Sequence, residues 1–197
     1  MSTVALAPKS PGRPRNAAHS DAARTAALEL LNEQGYTAIN METIAQRTGI
    51  ARKTLYRRWP HKGALMLDAF AEMAYALPSL PDTGSLKGDL QALLRDMVVK
   101  LRGDCGLANR ALVAEGLQHP DFARVLKEQH FSTRRQQASV LFQRARDRGE
   151  CAVTDDGRLA DMLLGPLWYR LLIQNEAPDD ALADMTGGSV AAFAQHG

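Results

Sequence analysis

The sequence predicts an all-α protein with a small N-terminal helical domain and a larger C-terminal helical domain. Apolar residues recur at the three- and four-residue spacing of a helix face, as Ala23, Ala27, Leu30 and Leu31 do in the first such segment. No stretch of useful length alternates apolar and polar residues as a strand would. Glycines and prolines stand between the periodic segments, where helices must stop. We therefore expect about nine or ten helices in total.

The chain is predicted to begin with a disordered basic arm, residues 1–16, followed by the N-terminal domain, residues 17–77. The arm holds prolines and cations but few large apolar side chains, so it buries too little surface to order itself. The first helix should run from about residue 20 or 21 to 34, where Gly35 ends it. The last helix of the domain, about residues 62–77, is more apolar than a surface helix needs, so we expect it to link the two domains.

A helix-turn-helix motif is predicted between these helices, at about residues 40–59. Asn40 is a good N-cap for a short helix, and Gly49 stands where that helix must end in the left-handed conformation. In the second helix, Leu55 and Trp59 are one turn apart and should face the core. Two short helices around a glycine turn are the pattern of this motif.

The outer face of the second helix should carry Arg52, Lys53, Tyr56 and Arg57. A rigid, exposed helix of this chemistry suits the DNA major groove, where arginine and lysine reach guanine edges. No acidic residue occurs within residues 46–67, so we expect no local partner to neutralise this face. A solvated basic surface is the ordinary alternative, and the helix-turn-helix pattern favours DNA binding over it.

The distribution of charge supports this interpretation. Residues 1–65 hold ten Lys or Arg against four acidic residues, a balance of +6, whereas the remainder holds 14 against 18, or −4. A basic head on a mildly acidic body points to nucleic acid at one end. Within the arm, Arg13 and Arg15 are then candidate contacts to a neighbouring minor groove, the alternative being a solvated tail.

Several classes of protein are disfavoured by what the sequence lacks. The two cysteines, Cys105 and Cys151, are too few for a disulfide framework and fit a reducing cytoplasm. No apolar run approaches the roughly 20 residues of a membrane span, and the N-terminus has no signal-peptide pattern. No nucleotide-binding, hydrolase or metalloprotease motif occurs, and the histidines are scattered. We expect a soluble, cytoplasmic protein that has no membrane partner, no catalytic residues, no metal and no cofactor.

The C-terminal domain, residues 78–197, is predicted to contain further helices at about residues 86–102, 109–118, 120–147 with a break, 155–175 and 178–195. Gly187 and Gly188 are expected to stop or weaken the last of them. Two late helices are apolar most of the way round, so they need partners on more than one side. They are either core helices of one chain or pair with a second copy in a four-helix bundle. The candidate interface residues are Leu141, Phe142, Ala145, Leu163, Leu167 and Leu171.

Large methionine and aromatic side chains in both domains are candidates to line a pocket for a hydrophobic ligand. The same residues at helical spacing also fit a plain core. The candidates are Met66, Phe70, Met73, Met97, Leu101, Leu112, Phe122, Leu126, Phe131, Trp168 and Tyr169. Glu115 and His130 are candidate polar anchors.

The segments AALELLNEQGY (residues 26–36) and METIAQRTGIARKTLYRRWPHKGAL (residues 41–65) resemble the N-terminal domain of TetR/AcrR-type transcriptional regulators. Trp59 departs mildly from the pattern, since phenylalanine is commoner there. From GSLKGDLQALLRDM to LLGPLWYRLLI, the remainder resembles, less specifically, the C-terminal ligand-binding and dimerisation domain of that family. The resemblance implies a homodimer on near-palindromic, double-stranded operator DNA, usually a repressor that a small effector releases by tilting the linking helix.

The resemblance also implies roles for particular residues. Arg52, Lys53 and Arg57 would face bases or their flanking phosphates, with Lys53 and Arg57 preferred for reading bases. The implied phosphate contacts are Thr43, Thr54, Tyr56, His61 and Lys62. Two rivals remain: a redox-sensing regulator that uses Cys105, which lies near Arg102 and Arg110 in the chain, and a DNA binder that responds to no ligand.

Overall fold

The computed structural model describes residues 14–74 and 80–196, and every regular element within these ranges is helical, as predicted. A 3-10 turn, Tyr36–Ala38, follows the first helix, and a π-helical turn, Lys127–Phe131, joins the seventh helix to the eighth. The α-helices are α1 (Pro14–Gln34), α2 (Met41–Thr48), α3 (Arg52–Arg58), α4 (Lys62–Ala74), α5 (Leu86–Leu101), α6 (Asp104–Gln118), α7 (Pro120–Leu126), α8 (Ser132–Asp147), α9 (Asp156–Leu172) and α10 (Asp180–His196). Arg13, the other residues before Pro14, and the side chains of Arg15 and Met73 lie outside the described residues.

Helix α1 begins at Pro14 and not near residue 20, so the prediction of a disordered arm is wrong for residues 14–16. Proline suits the first position of a helix because its φ is already helical and its missing N–H would have no partner there. Ala17 and Ala18 follow, and alanine is the strongest helix former. The local sequence therefore extends the helix beyond its apolar face.

The predicted helix-turn-helix is confirmed as α2, a glycine turn and α3. The Asn40 side chain accepts a hydrogen bond from the Thr43 backbone N–H at 2.9 Å, and the Thr43 hydroxyl accepts one from the Asn40 N–H at 3.1 Å. This reciprocal cap satisfies backbone donors at the start of α2. Gly49 has φ 69° and ψ 8°, the left-handed conformation that ends α2 without strain.

The buried side chains form two clusters whose division does not follow the order of the chain. Helices α1–α4 share the first cluster with Ala108 and Leu112 of α6 and with Phe122 and Leu126 of α7. The second cluster joins α5 and α8–α10. Helix α4 therefore packs on its own domain and on α6–α7 at once, so the head and this part of the body share one core.

The six candidate dimer-interface residues all lie inside the protomer. Each is 0–1% exposed, which leaves no side-chain surface for a second copy. The assignment is wrong because these apolar faces of α8 and α9 pack against α5 and α10 of the same chain. These residues are Leu141, Phe142, Ala145, Leu163, Leu167 and Leu171.

Gly187 and Gly188 were expected to interrupt the last helix, but α10 runs through both. A Cβ built on Gly187 would lie 2.9 Å from Cγ and 3.0 Å from the backbone nitrogen of Gln91, on α5. The glycine therefore permits a close approach of α10 to α5. The helix tolerates it because the gain from packing exceeds a propensity cost of about 1 kcal/mol.

Replacing Gly187 by alanine is expected to lower the free energy of unfolding by about 1–3 kcal/mol, since the added methyl meets the α5 backbone. Gly188→Ala is the matched control. Its Cβ would find its nearest neighbour at 3.8 Å, so better helix propensity should raise stability by up to about 1 kcal/mol. Urea unfolding of both variants measures the difference. Equal destabilisation at the two positions would contradict the close-approach explanation.

Within the parts of the chain that the structure describes, no helix is both long and apolar enough to cross a bilayer.

Candidate nucleic-acid interface and body cavity

Helix α3 is seven residues long, too short to be stable alone, and the core holds it in place. Ile50, Leu55 and Trp59 are buried in the first cluster, in the turn before the helix, in its middle and directly after its end. The Trp59 indole Nε1–H also donates a hydrogen bond to Oδ2 of Asp68, on α4, at 2.9 Å. A phenylalanine at this position would lack that bond. The outer face of α3 is thus presented at a fixed orientation.

The outer face of α3 carries Arg52, Lys53, Tyr56 and Arg57, all exposed as expected. Lys53 and Arg57 are one helical turn apart, and among the described residues neither lies within ion-pair distance of a carboxylate. Arg52, by contrast, has an ion-pair partner, because the Glu42 carboxylate, on α2, lies 2.5 Å from its guanidinium. The expectation that no partner neutralises this face is therefore wrong for Arg52, since its partner comes from the neighbouring helix.

The two threonines proposed for phosphate contacts differ in their environment. The Thr43 hydroxyl is already used in the cap, because it also donates to the Asn40 carbonyl oxygen at 2.8 Å. Thr54 is half-buried and lines a recess of about 210 Å³ that it shares with Arg57 of α3 and with His19 and Ser20 of α1. The first turns of α1 therefore lie beside the recognition helix.

His61 and Lys62, the other two predicted phosphate contacts, lie at the start of α4, where both side chains are half-buried and make contacts with the protein. The His61 ring packs edge-on against Phe122, with centroids 5.0 Å apart, and burial lowers its pKa, an effect only partly offset by the Glu115 carboxylate. The Lys62 ammonium lies 4.2 Å from the centroid of the Tyr36 ring and donates to the Tyr36 carbonyl at 3.2 Å. The start of α4 thus contacts α7 through His61 and the turn after α1 through Lys62.

Glu115, expected as a polar anchor of the pocket, lies instead at this joint between α4 and α6. Its carboxylate is 3.7 Å from Nε2 of His119. Burial, followed by the charge of Glu115, raises the pKa of Tyr36 well above its ordinary value. The contact between α4 and α6 is therefore polar at this point although it is apolar elsewhere. Tyr36, His61 and Glu115 are far apart in the chain, so no spacing in the sequence predicts that they meet.

A small cavity opens in the body between α5, α6, α8 and α9, with about 40 Å³ open to the centres of water-sized molecules. Four of its lining residues are among the predicted pocket residues: Met97, Leu101, Phe131 and Trp168. Sequence reasoning named His130 as a possible anchor but missed the other polar lining residues. These are Lys100, Cys105, Asn109 and Arg134.

The other predicted pocket residues do not line this cavity. Met66, Phe70, Leu112, Phe122 and Leu126 are packed in the first core cluster. Tyr169 is exposed on the outer face of α9. The prediction fails at these six because a core face and a pocket wall have the same helical spacing. The side chain of Met73, the remaining candidate, lies outside the described residues.

The polar groups of the cavity form a defined hydrogen-bond chain. Asn109, which is buried, donates from Nδ2 to the Cys105 carbonyl at 2.7 Å, so its Oδ1 faces Nε2 of His130, also at 2.7 Å. An amide oxygen only accepts, and therefore His130 carries its proton on Nε2. Burial, reinforced by the Arg134 guanidinium, lowers the pKa of His130 to about 4, so the ring is neutral at pH 7.

Two cations share one carboxylate at the rim of this cavity. Lys100 Nζ donates to Asp96 Oδ2 at 2.8 Å, and Arg134 lies 4.0 Å from the same oxygen. The side chains of Lys100 and Arg134 are only 24% and 15% exposed.

Phe131, Arg134 and Trp168 also line a second, larger depression on the outside of the body. The Phe131 and Trp168 rings meet edge to face, with centroids 5.0 Å apart. This outer groove has about 430 Å³ open to water-sized molecules, and its other walls are Val113, Arg135, Asp161, Leu164, Gly165 and Leu172. The cavity and the groove are thus neighbours with a common aromatic wall.

Neither Cys105 nor Cys151 forms a disulfide in the described part of the chain, and Cys105 lies at the cavity while Cys151 is buried elsewhere. The arginines that suggested a reactive Cys105 have other partners. Arg102 pairs with Asp180 at 3.2 Å, and Arg110 donates to the Leu171 carbonyl at 3.0 Å.

Comparison with known proteins gives matches to both halves of the chain. Residues 24–69 match the family model of bacterial regulatory proteins, tetR family, and residues 80–188 match the tetracyclin repressor-like C-terminal domain. The chain is 30% identical over 171 residues to the HTH-type transcriptional regulator YdeS of Bacillus subtilis, which covers 86% of each protein. It is 34% identical over 154 residues to the HTH-type transcriptional regulator Rv1556 of Mycobacterium tuberculosis, covering 77% of this chain and 75% of the other. Among solved structures, it superposes on the TetR family regulator SCO0332 with a TM-score of 0.72 at 30% identity, covering 88% of this chain and 97% of that one.

Proposed function

Since the chain belongs to the TetR family and is a DNA-binding transcriptional regulator rather than an enzyme, we propose that it is an effector-released repressor that binds a near-palindromic operator as a homodimer. The observation that carries the proposal is the pair Lys53 and Arg57, exposed on a helix that the core holds rigidly. An uncompensated cationic pair on a preformed helix end is suited to major-groove recognition.

In this proposal Lys53 and Arg57 read base edges, and other groups fix the register on the phosphates. Phosphate contacts position a protein on DNA without specifying sequence. We assign this role to Arg52, Thr54, Tyr56 and Thr43. Arg52 must exchange Glu42 for a phosphate, so its net contribution should be smaller than that of a cation without a partner.

The basic arm is assigned to the DNA as well. The first turns of α1 lie beside α3, because His19 and Ser20 line a recess together with Thr54 and Arg57. This part of α1 therefore lies close to the recognition helix. This supports Arg13 and Arg15 as contacts to an adjacent minor groove.

The second copy needed for a palindrome is proposed to dock on the outer faces of α8 and α9. Met162, Tyr169 and Ile173 follow one face of α9 at helical spacing and are 36%, 57% and 69% exposed, and Val140 of α8 is 42% exposed. Such a stripe of large apolar side chains is suited to a symmetric contact with the same stripe of a partner. The dimer face is thus assigned to the same two helices as the sequence suggested, but to their opposite sides.

Helix α6 offers a physical route from the body cavity to the DNA-binding head. Its first turns contribute Cys105 and Asn109 to the cavity, and its later turns contribute Glu115 to the joint with α4. A ligand that favours one position of α6 would therefore also favour one tilt of α4. The two recognition helices must lie about 34–36 Å apart to enter successive major grooves, so a change of tilt would release the operator.

Selection from a random duplex library, with sedimentation of the purified protein, tests the proposal. We expect a dimer in solution and enrichment of two inverted half-sites whose centres are about one helical turn apart. A monomer at micromolar concentration, or enrichment of no common sequence, would overturn the proposed mode of binding. A dimer that selects a single half-site would overturn the palindromic operator.

A further inference from the structure

We propose that Asp68 is a positioning residue for operator recognition, because its hydrogen bond with Trp59 holds the recognition helix α3 at one angle to the linking helix α4. In this role Asp68 acts through Trp59 and does not itself contact DNA. The inference rests on the proposed function, since it names the side chain that sets the orientation in which Lys53 and Arg57 meet the operator.

One carboxylate oxygen of Asp68 lies where three helices of the N-terminal domain meet. This oxygen, Oδ2, accepts the hydrogen bond from the Trp59 indole N–H at 2.9 Å. It also lies 3.7 Å from the guanidinium of Arg58, the last residue of α3, and 3.6 Å from that of Arg24, on α1. The Arg58 guanidinium in turn lies over the Trp59 ring, 5.1 Å from its centroid. Groups from α1 and from the C-terminal end of α3 therefore converge on a single atom of α4.

Of these contacts, the hydrogen bond with Trp59 is the one that can fix an angle. The two guanidiniums are too far from Oδ2 for direct hydrogen bonds, and Arg58 is half exposed, so its ion pair contributes little. Trp59 is only 5% exposed, and a hydrogen bond to a charged acceptor is stronger than one between neutral groups. The apolar packing of Leu55 and Trp59 holds α3 against the core but has no preferred direction, whereas a hydrogen bond does.

The place of Trp59 in the chain lets this bond control the direction of α3. Trp59 directly follows the helix, and its backbone N–H still donates to the Leu55 carbonyl at 2.9 Å. Lys53 lies six residues earlier, about 9 Å away along the helix axis. A rotation of about 10° at Trp59 would therefore move the Lys53 backbone by about 1.5 Å, which is enough to break a hydrogen bond to a base edge.

The negative charge of Asp68 distinguishes a positioning role from a simple effect of charge. Asp68 lies in the region that matches the tetR family model, and an acid in a DNA-binding domain repels phosphates. By charge alone, removing this acid should raise the affinity for DNA. A positioning role predicts a lower affinity, so the two explanations differ in sign.

The variant Trp59→Phe provides the first test. Phenylalanine keeps an aromatic ring in the core and removes the N–H donor. We expect affinity for the operator selected by the wild type to fall about fivefold or more, in a protein that remains folded by urea unfolding. The dependence of affinity on salt should keep its wild-type slope, because no phosphate contact is lost. Unchanged affinity, or a slope reduced by about one, would overturn the proposal.

Two substitutions of Asp68 test the sign. Asp68→Ala should lower operator affinity about fivefold or more although it removes a negative charge, whereas Asp68→Asn should retain most of the affinity, because an amide oxygen can still accept from Trp59. The matched control is Glu33→Ala. Glu33, on α1, accepts from Arg47 of α2 at 2.8 and 2.7 Å, so it is also an acid that joins two helices of this domain. Its removal should leave affinity unchanged or raised. Higher affinity in Asp68→Ala, or equal losses in Asp68→Ala and Asp68→Asn, would contradict the assignment.

The double variant with both Trp59→Phe and Asp68→Ala tests whether the two side chains act through one bond. It should bind the operator as Asp68→Ala does, within about twofold, because the bond is already absent in the single variant. If the two losses multiply instead, Asp68 and Trp59 act independently and the proposal fails.

Amide hydrogen exchange without DNA separates this inference from the proposed function. In Trp59→Phe, the backbone N–H groups of α3 should exchange about fivefold or more faster, while those of α1 and α2 keep their rates. If this occurs but the wild type selects no operator sequence, Asp68 still orients α3 and the proposed function fails. If α3 exchanges at its wild-type rate while the wild type does select an operator, the proposed function stands and the positioning role is overturned.

Discussion

Replacing Lys53 and Arg57 together by alanine is expected to reduce operator affinity about 100-fold or more and to leave the fold intact. Both side chains point away from the core, so stability should not change. Each good contact to a base edge contributes about 1–3 kcal/mol of discrimination, and two such contacts account for a loss of this size. Titration of the selected operator with wild type and variant measures it.

The single variant Lys53→Ala separates base reading from phosphate binding. We expect it to relax the preference at one or two operator positions, at a cost of about 1–3 kcal/mol there, while other positions keep theirs. Arg52→Ala is the matched control on the same helix. It should weaken binding to all sequences alike and by less, because Arg52 is already paired with Glu42. If Lys53→Ala behaves in the same uniform way, Lys53 contacts only the phosphate backbone.

Removing the guanidinium of Arg148 is expected to destabilise the body by about 3 kcal/mol, because it leaves a buried carboxylate without its cation. Asp89 is 0% exposed near the start of α5 and accepts from Arg148 at 3.1 Å. Thr83 donates to its other oxygen, from the backbone N–H at 2.6 Å and from the hydroxyl at 2.8 Å. These donors cannot balance the charge. Arg148→Met keeps the apolar stem and removes only the cation, so urea unfolding at fixed protein concentration measures the effect of the charge.

A second Arg→Met change supplies the control for this prediction. Arg102 pairs with Asp180 at 3.2 Å on the surface, where ion pairs contribute about 0–1 kcal/mol, so Arg102→Met should cost little. Adding Asp89→Asn to Arg148→Met should restore part of the lost stability, since it removes the unpaired charge. A double variant no more stable than Arg148→Met alone would show that the loss comes from packing.

The parts of the molecule that the sequence predicted correctly depend on short-range chemistry. The Asn40 cap, the Gly49 stop and the Leu55–Trp59 pair lie within residues 40–59, and each acts through neighbours at most four positions away. The helical period also predicted correctly which cations of α3 are exposed. Even there, the ion pair between Arg52 and Glu42 was missed, because it joins two helices.

The predictions that failed required knowledge of which helix faces meet. Leu141 and Leu163 have the spacing of an interface and of a core alike, and only the packing of α5 and α10 decides between them. The contacts of His61 with Phe122 and of Lys62 with Tyr36 were also missed, because these partners lie far apart in the chain. The polar lining of the cavity was likewise missed, because Lys100 and Arg134 are distant in the chain and converge only in the fold.

The sequence by itself determined that the chain is helical, where the DNA-binding motif lies and which side chains that motif exposes, because caps, turns and helical periodicity act over a few residues. Only the tertiary structure decided that α4 shares a core with α6 and α7, that polar side chains line the body cavity and that the apolar stripe on α9 faces outward. Those properties depend on contacts between residues far apart in the chain. A helical period predicts which face of a helix is apolar, but it does not predict which element packs against that face.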